Sequence, residues 1–134
     1  MKKSLIVIAG FLAAAASAQM GPPPGSQTRR FPVPKARPAG ERNGNPEEYF
    51  FNTQLDHFDH DGLSPTFPIR YLIDRTYWDP ATGPILFYAG NEGDIYSFYD
   101  NTGFMTETVA QETKGLIVFG EHRYFGVSYP FEPS

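Results

Sequence analysis

Two apolar runs constrain the fold of this chain of 134 residues more than any other feature. They are PILFYAG at 84–90 and GLIVFGE at 115–121. A short, continuous apolar run bounded by turn residues is typical of a strand buried on both faces, which is the usual state of strands in a parallel sheet. The segment between them, 91–114, is long enough for the crossover that two parallel strands need. The sequence therefore predicts an α/β fold with these two strands in its sheet.

The crossover contains one candidate helix, over residues 103–114. Thr102 is a suitable N-cap, apolar and polar residues fall on opposite sides of the segment, and Gly115 is a stop signal. A strand, a loop, a helix and a second strand in this order are typical of α/β sheets.

Two further strands are predicted before the apolar runs, YFFNTQLDHF at 49–58 and TFPIRYLIDR at 66–75. The second one alternates: Phe67, Ile69, Tyr71 and Ile73 fall on one face. Arg70 and Asp74 fall on the other, as expected of a strand with one buried face. The DHDGLSP turn between the strands predicts an antiparallel hairpin. The sheet is therefore expected to be mixed, with the hairpin leading into mostly parallel strands, and to have fewer strands than a complete buried sheet needs.

The first 48 residues differ in composition from the rest of the chain. Lys2 and Lys3, an apolar run over 5–16 and the A-x-A site at 16–18 predict a secretory signal peptide over residues 1–18. A membrane-spanning helix needs about 20 apolar residues, and the run over 5–16 is shorter. No membrane anchor is therefore expected once the signal peptide is removed. Residues 19–48 are rich in Pro, Gly and charge, which is typical of a disordered linker or pro-segment. Residues 49–134 are then the folded part of a secreted, lysosomal or vacuolar protein.

Charge and cysteine content exclude several classes of function. The net charge is −4, and most of the acidic residues lie in the predicted folded part. An acidic surface repels the phosphate backbone, so no nucleic acid partner is expected. The chain has no cysteine, which excludes disulfides and thiol chemistry.

The two buried strands end in loops whose residues are suited to binding or catalysis, AGNEGD at 89–94 and GEHRYFG at 120–126. Active sites of open α/β sheets gather at the carboxyl ends of the strands. Gly90 and Gly93 allow close approach of the backbone to a ligand, and backbone N–H groups there can stabilise an oxyanion. The alternative is a tight surface turn without a ligand.

Five motifs in the folded part together resemble one family. They are QLDHF at 54–58, TF..RYL at 66–72, ILFYAGNEGDI at 85–95, NTGFM at 101–105 and EHRYFG.S.PF at 121–131. In order and spacing they resemble the prolyl carboxypeptidase family of serine peptidases, which includes lysosomal Pro-Xaa carboxypeptidase and the dipeptidyl peptidase II group.

The resemblance implies an α/β-hydrolase domain with a Ser, Asp, His triad that cleaves next to proline. This chain would be its N-terminal part, inactive alone, with the triad downstream of it. It also implies a peptide substrate with proline near a terminus, no cofactor, and possible homodimerisation of the full-length enzyme.

The resemblance also assigns roles to two sets of residues. The oxyanion or substrate-binding loop would be Gly90, Asn91, Glu92, Gly93 and Asp94, because the loop after the third strand of such hydrolases donates an oxyanion N–H. The second set would form a structural turn: Glu121, His122, Arg123, Gly126 and Ser128. The planar fork of Arg123 suits it to tying loops together through carboxylates or carbonyls.

Three local patterns offer competing chemistry. GVSYP at 126–130 begins like the G-x-S-x-G elbow of hydrolases, but Pro130 stands where a small residue is needed, so Ser128 is not expected to be the nucleophile. A self-contained triad of Ser128, His122 and Asp94 is disfavoured for the same reason. DHFDHD at 56–61 offers metal ligands, but an extended chain divides them between two faces, so no metal site is expected.

Three alternatives to a peptidase stay open at this point. They are a non-catalytic secreted binding protein, a truncated gene product, and a general α/β-hydrolase esterase.

Overall fold

The protein forms one mixed sheet, with helices in the connection between two adjacent parallel strands. The computed structural model describes residues 5–8 and 44–131. The strands are β1 (Leu5–Ile8), β2 (Glu47–Gln54), β3 (Thr66–Asp74), β4 (Ile85–Ala89) and β5 (Leu116–Gly120), in the order β1-β4-β5-β3-β2. The segments between β4 and β5 are α1 (Ile95–Asn101), a π-helical segment (Phe104–Val109) and α2 (Ala110–Thr113).

The pairing of the strands agrees with the predicted mixed sheet. β4 and β5 are parallel, with Ile85 beside Leu116 and Ala89 beside Gly120. β2 and β3 form the predicted antiparallel pair. β3 also pairs antiparallel with β5, so the hairpin joins the parallel strands through β3.

The first predicted strand, 49–58, is shifted in the structure. β2 begins at Glu47, inside the predicted linker, and ends at Gln54. Beyond it, the side chains of Asp56 and Asp59 accept hydrogen bonds from the N–H groups of Phe58 and Asp61, two residues further on. Such Asx turns offer the backbone an alternative to the sheet, and this ends the strand before the predicted position.

Strand β1 lies within the predicted signal peptide and pairs parallel with β4. The other residues of that predicted segment, and the predicted linker up to residue 43, lie outside the described residues, so both assignments stay predictions. Of the helices that the structure describes, none is long and apolar enough to cross a membrane.

The helix predicted over 103–114 is present as a helical stretch from Phe104 to Thr113, but its form differs, because Phe104–Val109 is π-helical and Ala110–Thr113 is α-helical. An additional helix, α1, begins after Asp94, whose side chain accepts a hydrogen bond from the N–H of Tyr96 and so caps it. Thr102 does not act as an N-cap: its hydroxyl donates back to the carbonyl of Phe98 at 2.6 Å. The crossover is thus two helical pieces joined at a π-helical segment.

The core lies between the sheet and this helical layer. Its buried cluster consists of Leu72, Leu86, Ile95, Tyr99, Met105, Ala110, Ile117 and Phe119. The rings of Tyr99 and Phe119 meet edge to face with centroids 5.2 Å apart. Full burial of one such side chain contributes roughly 1.5–3 kcal/mol to the free energy of folding. Because helices this short are marginally stable in isolation, packing against the sheet supplies most of their stability.

The alternation predicted for β3 is present, and Phe67 is buried as predicted, but from Ile69 onward the more buried face is the opposite one. Arg70, Leu72 and Asp74 are buried under the helical layer, whereas Ile69 and Tyr71 are only half-buried. The two charges are tolerated there because each has partners. Asp74, for example, accepts hydrogen bonds from the hydroxyl of Tyr99 and the N–H of Thr76.

Candidate functional site

Two loops meet at the carboxyl ends of the parallel strands β4 and β5. We refer to them as loop 90–94 and turn 121–128. The N–H of Gly90 donates to the carbonyl of Gly120 at 2.7 Å, which joins the starts of the two loops. A Cβ atom at Gly90 would overlap that carbonyl, so the close approach requires glycine.

The carboxylate of Glu121 connects the two loops to strand β3. Its side chain is fully buried. One oxygen accepts from Arg70 Nη2 at 2.5 Å and from the N–H of Ile95 at 3.0 Å. The other accepts from the N–H of Val127 at 3.0 Å and from the hydroxyl of Ser128 at 2.7 Å. A single side chain thereby holds the start of α1, strand β3 and turn 121–128 together.

Arg70 is the cation at the centre of this cluster. Its Nη2 also donates to Asp94 at 2.5 Å, and its Nη1 donates to Glu48 at 3.2 Å. Burial by itself would lower the pKa of Arg70, but its hydrogen bonds to Glu121 and Asp94 and the charges of these carboxylates outweigh burial, so its pKa lies above the usual value. Nε is buried and has no hydrogen-bond partner among residues 5–8 and 44–131. We call Glu48, Arg70, Asp94, Glu121 and Ser128 the Arg70 cluster.

Most backbone N–H groups of loop 90–94 are already used. Gly90 donates to β5, Glu92 donates to the side chain of Asn91 at 2.8 Å, and Gly93 donates to the carbonyl of Asn91 at 2.8 Å. Within the described part of the chain, the N–H groups of Asn91 and Asp94 have no hydrogen-bond partner. These two are the loop donors that remain for an oxyanion.

Ser128 is a buried linker in turn 121–128. Its hydroxyl donates to Glu121 and accepts from the N–H of Arg70 at 2.9 Å. His122 is exposed, and its Nδ1 lies 2.8 Å from the carbonyl oxygen of Arg123. The structure therefore does not assemble Ser128, His122 and Asp94 into a triad, since Asp94 and Ser128 both bond to members of the Arg70 cluster instead.

Arg123 ties the same turn to the end of β2. Its guanidinium donates to the carbonyls of Leu55 at 3.0 Å and Gln54 at 3.3 Å, and lies 2.7 Å from His57 Nε2. His57 thus faces Arg123 at the start of the DHFDHD segment. Among the described residues, no group of three or more His, Asp or Glu side chains is arranged to hold a metal ion.

An open cavity of about 700 Å³ lies below the two loops, on the sheet face opposite the helices. Its apolar wall is formed by side chains that alternate with the core residues along β3, β4 and β5, namely Ile69, Tyr71, Phe87 and Val118, together with Phe51 of β2. Gly90, Glu121 and His122 lie at its loop end. The cavity therefore joins an apolar surface to the loop that carries the two remaining donors.

Comparison with known proteins identifies the family. The family model described as serine carboxypeptidase S28 matches residues 53–134. The chain belongs to the serine carboxypeptidase S28 family. This confirms the resemblance to prolyl carboxypeptidases and makes residues 53–134 the S28 segment.

Curated relatives agree with this assignment. Lysosomal Pro-X carboxypeptidase of Homo sapiens is 51% identical over 82 residues, which cover 61% of this chain and 16% of the relative. Prolyl carboxy peptidase like protein 5 of Caenorhabditis elegans is 47% identical over 66 residues, covering 49% of this chain and 13% of the relative. Serine protease vicPa of Bipolaris victoriae is 38% identical over 79 residues, covering 54% and 14%. The chain thus spans less than a fifth of the length of these relatives.

The candidate site contains residues that sequence reasoning missed. Arg70 and Glu48 were not among the expected site residues, yet both belong to the Arg70 cluster. Arg70 stands in the RYL motif at a position flanked by Ile69 and Tyr71. An arginine between two apolar residues of a predicted strand was the available signal in the sequence, although it does not show which face of the strand is buried.

Proposed function

We propose that this chain supplies the N-terminal part of a serine exopeptidase that hydrolyses peptide bonds next to proline, in a secreted, lysosomal or vacuolar protein. The observation that carries the proposal is loop 90–94. It lies at the carboxyl end of a parallel strand, where α/β sheets bind ligands, and it keeps the N–H groups of Asn91 and Asp94 without partners in the described chain. The loop at this point in α/β hydrolases donates one oxyanion-hole N–H.

In this mechanism the loop stabilises the tetrahedral intermediate of acyl transfer. The N–H of Asn91 or Asp94 donates to the oxygen that becomes negative when the scissile carbonyl is attacked. The nucleophilic serine and its Asp and His partners are supplied by residues beyond 134. Ser128 is not the nucleophile, because it is fully buried and its hydroxyl is committed to Glu121 and Arg70.

Carboxypeptidase activity is better supported than dipeptidyl peptidase activity. The relatives from mammals are named as Pro-X carboxypeptidases. A dipeptidyl peptidase must hold a free substrate amine, and the exposed carboxylate of Glu92 is the loop side chain suited to that task. The two activities therefore make different demands on the same loop.

A chimera tests the proposal. Residues 53–134 replace the matching 82 residues of human lysosomal Pro-X carboxypeptidase, and the product is offered three substrates: a peptide ending in Pro-Phe, a fluorogenic Xaa-Pro amide and a short-chain ester. We expect release of phenylalanine at a rate within about tenfold of the parent enzyme, because the segment retains every contact of the loop.

The other outcomes point to the alternatives. Cleavage of the amide alone would indicate a dipeptidyl peptidase, and cleavage of the ester alone a general esterase. A folded chimera that cleaves none of the three overturns the proposal and favours a non-catalytic binding protein. Reading the transcript beyond the codon for Ser134 gives an independent test: an elbow serine followed by Asp and His supports the peptidase, and a stop codon contradicts it.

A further inference from the structure

Loop 90–94 is fixed at both of its ends. At the start, Gly90 donates to Gly120. At the end, the side chain of Asp94 accepts from Arg70, and the N–H of Ile95 donates to Glu121. Between these anchors only Asn91, Glu92 and Gly93 remain, and Asn91 holds the other two through its own side chain and carbonyl.

The anchoring side chains are themselves held by several partners. Glu121 cannot rotate without losing hydrogen bonds from Val127 and Ser128 as well as from Arg70. The hydroxyl of Ser128 also accepts from the backbone N–H of Arg70, which fixes the strand beneath the guanidinium. Several contacts would therefore have to break together before the end of the loop could move.

Stability alone is a poor explanation for this cluster. A buried ion pair loses the hydration of both charges, and apolar residues of similar volume often stabilise a fold as well or better. The cluster does supply a defined geometry, since planar guanidinium and carboxylate groups fix direction as well as distance. The cluster lies next to the two loop donors, which indicates that its geometry serves to position loop 90–94.

We propose that Arg70 and Glu121 are positioning residues of the peptidase reaction, which hold loop 90–94 in the conformation that leaves the Asn91 N–H available to the oxyanion. The inference rests on the proposed function. In this role both residues act through Asp94 and Ile95 at the end of the loop.

Kinetics of the chimera test the inference. We expect Glu121→Gln and Arg70→Lys to lower kcat for the Pro-Phe peptide by roughly 10- to 100-fold while KM changes by less than about twofold, because an oxyanion donor acts in the transition state. The double variant should lose much less than the product of the two single losses, since both residues act on one loop. Ser128→Ala, which keeps the ion pair and removes one hydrogen bond to Glu121, should give a smaller loss.

Asp74→Asn is the matched control. Asp74 is a buried carboxylate of β3, the strand that carries Arg70, but it accepts hydrogen bonds from Tyr99 and Thr76 and does not touch the loop. If the cluster only stabilises the fold, Asp74→Asn and Glu121→Gln will lower kcat alike at equal loss of melting temperature, and the inference is overturned. An active chimera in which Glu121→Gln keeps its kcat within twofold also overturns it, while leaving the proposed function intact.

Hydrogen exchange gives a readout that does not depend on activity. In Glu121→Gln we expect the hydrogen-bonded amides of Glu92, Gly93 and Ile95 to exchange at least about tenfold faster than in the parent chimera, with β5 unchanged, because only the loop loses an anchor. Uniform acceleration across β5 and the loop would mean global destabilisation and would contradict a positioning role. A parent chimera without any activity removes the proposed function and the inference together.

Discussion

Gly126 shows at the scale of one residue how closely Glu121 is surrounded. Its φ is +58°, and a Cβ atom there would overlap the Glu121 carboxylate. Gly62 has a similar φ of +70°, but nothing lies within 4 Å of the position of its Cβ. A substitution at Gly62 therefore tests backbone strain alone, whereas one at Gly126 tests the same strain together with contact with the Arg70 cluster.

Alanine at each position should give different losses of stability. Gly62→Ala should cost about 1–2 kcal/mol, the price of a left-handed backbone with a side chain. Gly126→Ala should cost about 1–3 kcal/mol more, because it displaces a buried, hydrogen-bonded carboxylate. Urea unfolding, followed by the fluorescence of the single tryptophan, Trp78, measures both. Equal losses would show that Glu121 has room to move.

The raised pKa of Tyr99 predicts that the protein loses stability in alkaline solution. Burial, and then the hydrogen bond to Asp74 and the charge of that carboxylate, raise the pKa of Tyr99. A group with a raised pKa in the folded state stabilises the fold fully below its unfolded pKa, about 10, and this stabilisation is lost as the pH rises above that value. The free energy of unfolding should fall by up to about 1.4 kcal/mol per pH unit from this residue.

Comparison of variants isolates that dependence. Tyr99→Phe should flatten the decline above pH 10, with a remainder from Tyr88, whose pKa is also raised by burial. Phe119→Leu is the control, because it weakens the same core without removing a proton. Urea midpoints from pH 8 to pH 11 give the slopes, and an unchanged slope in Tyr99→Phe would show that this tyrosine does not govern alkaline unfolding.

Single residues of the site were predictable only in part from the sequence. The glycine and acidic residues of loop 90–94 and the EHR motif mark both loops at the strand ends. The buried state of Arg70 could not be predicted, because alternation shows that two faces exist but not which one the helices cover. The groups that donate hydrogen bonds to Glu121 come from three separate segments, and only the tertiary fold brings them together.

At the scale of elements, the end of α2 differs from its predicted form. Gly115 was expected to stop the helix, but Lys114 adopts the left-handed conformation, with φ of +52°. Gly115 serves another purpose: a Cβ atom there would lie 2.8 Å from the side chain of Leu86. The glycine allows β5 to pack against the core, and the lysine carries the strain of the turn.

This division of roles predicts opposite effects for two neighbouring substitutions. Lys114→Gly should stabilise the protein by about 0.5–1 kcal/mol, because relief of left-handed strain exceeds the added entropy of the unfolded chain. Gly115→Ala should destabilise it by about 1–3 kcal/mol through overpacking. Urea midpoints test the pair, and a destabilised Lys114→Gly would mean that its side chain contributes more than the strain costs.

The long apolar runs made β4 and β5 predictable, because burial on both faces leaves an unbroken pattern. Helix α1 was missed because IYSFYDN is rich in residues of modest helix propensity, and its aromatic side chains serve the core. The Asp94 cap was visible in the sequence, but it was assigned to the loop. Helix α1 forms because of tertiary packing, which cannot be predicted from local helix propensity.

At the scale of the whole molecule, the sheet is covered unevenly. The helical layer lies over Leu72, Leu86 and Ile117, whereas the described residues leave the cavity of about 700 Å³ open over the other face. Parallel strands are normally covered on both faces. Because the chain spans 16% of the human relative, we expect further parts of an S28 peptidase to cover this face.

The 134-residue chain by itself should then associate through that face. Phe51 is 63% exposed at the cavity, whereas Phe58 is 86% exposed on the turn after β2, away from the cavity lining. Phe51→Lys should weaken self-association by about tenfold or more, since burying one large aromatic side chain contributes roughly 1.5–3 kcal/mol. Phe58→Lys should leave it unchanged, as measured by sedimentation velocity over a concentration series. Equal effects of the two substitutions would mean that any exposed aromatic residue drives association, and the open sheet face would lose its special role.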